Sequence, residues 1–202
     1  MNVVRDDPSR PDPGFAELYG RLPDAIDLWP WLELAQGATP PVLYLGIGSG
    51  RLAVPLYGAG INLVGVDSHP GMLSQLRRRL SRTELIQSRI EDLELGRRFD
   101  LVIAPSNILY TVERLRRAAA HLADAGTVAF ELANPHWLRA GGGDGVRVRA
   151  LDGNGARLEV EYRLPDGQIV TQHADVAVVW PEEMANWLES AGLRLQRMFG
   201  RP

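Results

Sequence analysis

Through the first two thirds of the chain, short unbroken apolar runs alternate with segments whose apolar positions recur every three or four residues. An unbroken run of four to eight suits a strand buried on both faces, and the longer period suits a helix with one buried face. Strands are therefore predicted over residues 42–45, 61–66, 85–87, 101–104 and 127–132. Helices are predicted over residues 15–22, 25–36, the apolar stretch after Gly50, 70–80 and 111–123. The 25–36 helix takes Asp24 as its N-cap, Ile26, Trp29 and Leu32 as its buried face, and Pro30 as a kink or break. Residues 1–13 hold three prolines and several charges and are read as a disordered tail.

Beyond Gly141-Gly142-Gly143-Asp144-Gly145 the period becomes two. Residues 146–149, 158–162 and 169–179 alternate, separated by the turn signals Gly153-Asn154-Gly155 and Pro165-Asp166-Gly167. These read as antiparallel strands with one solvated face. A helix over 181–191 and a last strand over 193–198 follow. The fold class is α/β: a Rossmann-like, open, twisted, mostly parallel sheet with helices on both faces and a small antiparallel addition after the fifth strand. Residues 14–202 form a single domain, with the addition at 146–179.

The chemistry concentrates where the first strand ends, at Gly46-Ile47-Gly48-Ser49-Gly50-Arg51. Glycine serves where backbone turns tightly or meets a ligand closely. The next strand ends in Asp67, about 20 positions on, where an acid can accept hydrogen bonds from both ribose hydroxyls. Turn and acid together point to a cofactor containing adenosine. A dinucleotide fold prefers G-x-G-x-x-G. Here the third glycine comes one residue early.

That G-x-G-x-G turn resembles motif I of the class I S-adenosylmethionine-dependent methyltransferases. The stretch from Asp67 to Leu73, the Ile90-Glu91-Asp92 segment, and the strand and loop from Phe99 to Asn107 resemble other parts of the same family. The resemblance spans roughly residues 15–200 and implies S-adenosylmethionine as cofactor and a small-molecule methyl acceptor. It places Tyr19 in a helical lid, and Tyr44, Gly46, Gly48, Gly50, Arg51, Asp67, Ser68, Met72, Glu91, Asp92 and Ser106 at the cofactor. Members of the family carry Asp or Glu at the position of Tyr44, where the carboxylate helps hold the cofactor's amino group. They also add a strand beyond the one matching 193–198, so an open sheet edge is the expectation here.

The rest of the composition narrows the function. A net charge of −3 with short basic runs gives no reason to expect nucleic acid. No cysteine is present, which excludes disulfides and thiolate chemistry, and no His/Asp/Glu spacing suggests a metal. No apolar stretch reaches membrane-spanning length, so the cytoplasm is the default. The alternating face over 146–179 is expected to cover the substrate cleft or to pair with a second subunit.

Methyl transfer from a sulfonium needs alignment above all, and a base only where the nucleophile must lose a proton. Candidates belong beyond the carboxyl ends of strands four and five. Asn107 and Tyr110 follow the fourth strand, Glu131 stands near the end of the fifth, and Asn134 and His136 follow it. His136 is the leading base candidate, since its reference pKa lies near neutrality. His69 is expected near the ribose or adenine, His121 to be structural, and His173 to face either way. Transfer of a methyl group to N or O of a small molecule is the leading reading. A non-catalytic S-adenosylmethionine-binding fold and a nicotinamide-dependent oxidoreductase are the alternatives. The absence of lysine removes a Tyr-x-x-x-Lys pair and weighs against the last.

Overall fold

A computed structural model describes residues 2–5 and 10–200 of the chain. In order, the elements are β1 (Asn2–Arg5), α1 (Pro13–Arg21), α2 (Trp31–Gln36), β2 (Val42–Leu45), α3 (Ala53–Gly58), β3 (Leu63–Asp67), α4 (Pro70–Arg79), β4 (Glu84–Gln87), β5 (Phe99–Ala104), α5 (Val112–Ala119) and β6 (Leu122–Phe130). Then come α6 (Pro135–Arg139), β7 (Gly142–Gly143), β8 (Val146–Asp152), β9 (Gly155–Arg163), β10 (Ile169–Ala177) and, after a short 3-10 turn, α7 (Met184–Glu189).

The first sheet runs β4-β3-β2-β5-β6, and all four pairings are parallel. Alternation along β2 sends Val42 and Tyr44 to one face and Leu43 and Leu45 to the other. On the first face Leu63, Leu101 and Ile103 pack against α2, α3 and α4 through Ala35, Leu56, Leu73 and Leu76. On the second, Val64, Val66, Val102 and Ala104 pack against α5 and α7 through Leu115, Ala118 and Leu188. Each large side chain so buried contributes about 1.5–3 kcal/mol. Strand order reverses between β2 and β5, and the crevice beyond their carboxyl ends is where such sheets bind ligands.

The second sheet runs β1-β10-β9-β8-β7. Leu158, Val160 and Tyr162 of β9 and Val170 and Val176 of β10 turn toward two apolar clusters, one with α1 and α4 and one with α6. Glu159 faces outward among Arg147, Arg149 and His173, so His173 lies on the solvated face. The antiparallel addition thus packs on the rest of the chain through one face.

Three expectations are corrected. Residues 2–5 of the expected disordered tail form β1, parallel to β10, with Val4 buried among Phe15, Leu18 and Met72; residues 1 and 6–9 lie outside the described residues. The helix expected over 25–36 is confined to α2, and Ile26 is 98% exposed. Asp24 pairs with Arg79 at 2.6 Å, Asp27 accepts from the Trp29 N–H, and proline disfavours helical backbone in the residue before it. Residues 193–198 form no strand, because Leu193 is held at the end of α7 by donating to the Leu188 carbonyl. Phe199 then packs edge-on against Trp29. Among the described residues no helix is long and apolar enough to cross a membrane.

Val4→Asp puts a carboxylate into the apolar contact between β1 and α1. The variant should release β1 and speed limited proteolysis around residues 10–13. An unchanged cleavage pattern and rate would mean that β1 does not dock on β10.

Candidate functional site

Gly46, Gly48 and Gly50 all adopt left-handed backbone, with φ of 67°, 58° and 90°. Their surroundings differ. A Cβ at Gly46 would strike Ile108, and one at Gly50 would strike Leu76, whereas one at Gly48 would meet nothing within 4 Å. Gly46 and Gly50 are therefore fixed by packing, and Gly48 presents bare backbone to open space at the switch point.

Asp67 closes this turn from the side. Its Oδ2 accepts the Gly48 N–H at 2.7 Å and its Oδ1 the His69 N–H at 2.8 Å. Burial raises its pKa above the ordinary aspartate value, and the N–H groups of His69, Gly48 and half-buried Ser68 oppose that rise only in part. The carboxylate sits at the end of β3 beside the open backbone of Gly48, a donor-and-acceptor set that fits an adenosine ribose.

His69 caps α4. Its Nδ1 accepts from Gly71 and Met72 N–H, so its Nε2–H donates to the Asp12 carbonyl at 3.0 Å. Met72, expected at the cofactor, is instead 3% exposed and packs under α1 with Phe15 and Leu18. Pro70 follows the cap at the first position of α4, so the same capped turn drives Met72 inward.

Helix α1 forms a roof. The Ser49 hydroxyl donates to the Tyr19 carbonyl, and Arg51 donates through Nε to the Pro23 carbonyl, with its guanidinium 5.9 Å from the Tyr19 ring centre. The Tyr19 hydroxyl bonds that of Tyr162 at 3.0 Å and donates to buried Gln172 at 3.4 Å. Arg21 pairs with Asp166 in the β9–β10 turn at 2.6 Å. The roof is thus tied both to the glycine turn and to the antiparallel sheet.

Tyr44 lies 4% exposed in the core beneath the turn. Burial, then the charges of Asp67 and Glu131, raise its pKa, against a smaller opposing effect of Arg51. It is a neutral phenol at any working pH.

Beyond β5, Ser106 and Asn107 have φ of 76° and 56°. Left-handed backbone in non-glycine residues costs about 1–3 kcal/mol and clusters at functional sites. The Asn107 side chain supports the loop. Its Oδ1 accepts from Ala133 N–H at 2.9 Å, and its Nδ2 donates to the Ala177 carbonyl. Glu131, immediately after β6, accepts from the exposed Ser106 through its N–H at 3.4 Å.

Glu91 is held by Arg114, whose Nε donates to it at 2.8 Å and whose Nη1 donates to the Ile108 carbonyl. Burial would raise the Glu91 pKa, but its own backbone N–H, Arg114 and Arg89 together hold it below the ordinary glutamate value. The Tyr110 ring lies 4.5 Å from the Arg114 guanidinium. Asp92 next to it is largely exposed. Arg114 carries no signal in the sequence, since it looks like any other arginine of an Ala/Arg-rich helix.

The three catalytic candidates stand apart in role. Asn107 braces loops, Tyr110 is covered by Arg114, and His136 is exposed on α6 against the Trp180 ring at 5.9 Å. His121 is structural as expected: its Nε2 accepts from Leu95, so Nδ1–H donates to the Arg117 carbonyl. Among the described residues no group of three or more His, Asp or Glu side chains could hold a metal.

Residues 42–127 match a family described as a methyltransferase domain. A dTDP-3-amino-3,4,6-trideoxy-alpha-D-glucopyranose N,N-dimethyltransferase of Streptomyces venezuelae is 29% identical over 165 residues, covering 68% of each chain. Solved structures that share the fold include the following two. A sugar N-methyltransferase from Streptoalloteichus has a TM-score of 0.70 at 22% identity, over 95% of this chain and 88% of that one. An S-adenosylmethionine-bound amino pentose methyltransferase from Micromonospora echinaspora has 0.67 at 22%, over 90% and 88%.

Gly48→Ala should cost only about 1 kcal/mol of stability, the strain of a left-handed alanine, yet weaken S-adenosylhomocysteine binding about tenfold or more. Gly50→Ala should unfold at clearly lower urea concentration, because its methyl meets Leu76. Equal stability losses in the two variants would contradict this division. The raised pKa of Asp67 also sets a sign. Its stabilising contribution is full below the unfolded-state pKa, about 3.9, and falls as pH rises through the folded-state value. Wild type should therefore gain stability relative to Asp67→Ala between pH 7 and pH 4 in urea melts, and a relative loss would reverse the assignment.

Proposed function

We propose that this chain is a class I S-adenosylmethionine-dependent methyltransferase and that it methylates an amino nitrogen of a small amino-sugar-like molecule. The observation that carries the cofactor reading is the left-handed glycine turn, with open space at Gly48 and Asp67 beside it at the strand switch point. The choice of nitrogen and of a sugar-like acceptor rests on the Streptomyces relative, whose name gives an aminosugar N,N-dimethyltransferase.

When bound, S-adenosylmethionine supplies a methyl group already activated on a sulfonium. In this reading the chain's own residues do the following. Asp67 takes the ribose hydroxyls. The backbone of Gly46, Gly48 and Gly50 allows close approach, with Tyr44 and Ser68 bounding the same pocket. Glu91, oriented by Arg114, and Asp92 border the adenine. Arg51 faces the carboxylate end, Ser106 the methionine chain, and Tyr19 closes the roof. Acceptor nitrogen must present its lone pair in line with the bond from methyl carbon to sulfur. Bound there, the sulfonium would supply both the methyl group and the leaving group, and the chain's part would be to align the acceptor nitrogen and to accept the proton that it sheds. His136 is exposed and can take that proton to water. Tyr110 and Asn107 hold the loop that borders the acceptor.

We treat residues 14–202 as one domain in which the 146–179 sheet supports the α1 roof, acting in the cytoplasm on a free small molecule and not on nucleic acid.

Purified protein with S-adenosylmethionine and a panel of nucleotide-linked amino sugars, followed by mass spectrometry, should yield products one or two methyl groups heavier. The matching hydroxy sugars should stay unmodified. Methylation of hydroxy sugars alone would contradict the choice of nitrogen. Asp67→Ala should weaken S-adenosylhomocysteine binding by about 1–3 kcal/mol in calorimetry, the cost of losing charged hydrogen bonds.

A further inference from the structure

The amino-acid end of the cofactor is a zwitterion, and its ammonium needs a negative partner. Four carboxylates named above stand at the carboxyl rim of the parallel sheet: Asp67, Glu91, Asp92 and Glu131. Asp67 already accepts the Gly48 and His69 N–H groups and lies on the ribose side. Glu91 is neutralised by Arg114. Asp92 follows β4, at the far edge of the sheet from β5 and β6. Glu131 follows β6, is exposed, and accepts from Ser106 at 3.4 Å, a long bond that a stronger donor can displace.

The position of Tyr44 adds direction. Its phenol lies near enough to Asp67, Glu131 and Arg51 for all three charges to bear on it, the two carboxylates with one effect and the guanidinium with the opposite. The buried phenol is uncharged and cannot hold an ammonium by charge. The buried phenol is therefore within reach of one cation, Arg51, and two carboxylates, of which Asp67 already holds the Gly48 and His69 N–H groups and Glu131 has only the long Ser106 contact.

We infer that Glu131 is the carboxylate that binds the cofactor's ammonium group, with the acid end directed toward Arg51. This rests on the cofactor reading given above. It also makes the 3.4 Å contact to Ser106 the resting arrangement of Glu131. The loop after β5, with its left-handed Ser106 and Asn107, then passes its N–H to the ligand side when the carboxylate turns to the ammonium.

The test uses two ligands that share nucleoside and sulfur and differ in the amino-acid end: S-adenosylhomocysteine and 5′-methylthioadenosine. Calorimetry on wild type and Glu131→Gln should show S-adenosylhomocysteine weakened about 10- to 100-fold, as for loss of a hydrogen-bonded charge, with 5′-methylthioadenosine unchanged. Equal weakening of both ligands would mean a general structural role, and no weakening of the first would remove Glu131 from the site. Either result overturns the inference. Wild type that binds neither ligand would instead overturn the cofactor reading, and the inference with it.

Discussion

The contact on which the site depends is the carboxylate of Asp67 accepting the Gly48 N–H. It joins the ends of two adjacent parallel strands, β2 and β3, at the place where the chain must turn back over the sheet. The left-handed turn leaves the Gly48 amide pointing sideways, and a half-buried carboxylate is a strong acceptor for it. Burial makes that carboxylate costly to ionise, as its raised pKa records. The fold thus spends stability to hold a negative group beside open backbone. An apolar or amide side chain there would serve packing better.

Around this contact the structure is built as a sandwich of sheet, cleft and roof. Helix α1 is fixed to the parallel-sheet side by Ser49, Arg51, Gln75 and His69, and to the antiparallel sheet by Tyr19, Arg21 and β1. The alternating strands that read as an appendage are therefore the support of the roof. Their outer face is a mesh of Arg and Glu in water, where exposed ion pairs contribute little to stability. Their inner face, with Tyr162 and Gln172, holds the roof through the Tyr19 hydroxyl.

Much of this was legible in the chain. Buried strands announce themselves as unbroken apolar runs, so the five parallel strands, the glycine turn and Asp67 could be read directly. Hairpin signals at Gly153–Gly155 and Pro165–Gly167 did the same for β8 to β10. What could not be read depends on distant partners. Residues 2–5 are polar enough to look disordered, and only the free edge of β10 gives them a place. Ile26 and Trp29 have helical spacing, but Pro30 and the local bonds of Asp24 and Asp27 prevent the helix. Met72 and His69 sit in a motif that suggests ligand contact, yet one packs and the other caps. Arg114 is 23 residues from Glu91 and cannot be singled out by any local pattern.

The central claim is that the Gly48–Asp67 cradle reads the ribose diol of an adenosine cofactor. The most direct measurement compares the affinity of wild type for S-adenosylhomocysteine and for its 2′,3′-dideoxy analogue. The account predicts that the dideoxy ligand binds at least about tenfold more weakly, the loss of hydrogen bonds to a charged group. It predicts also that Asp67→Ala erases the difference. Equal affinities in wild type would contradict it.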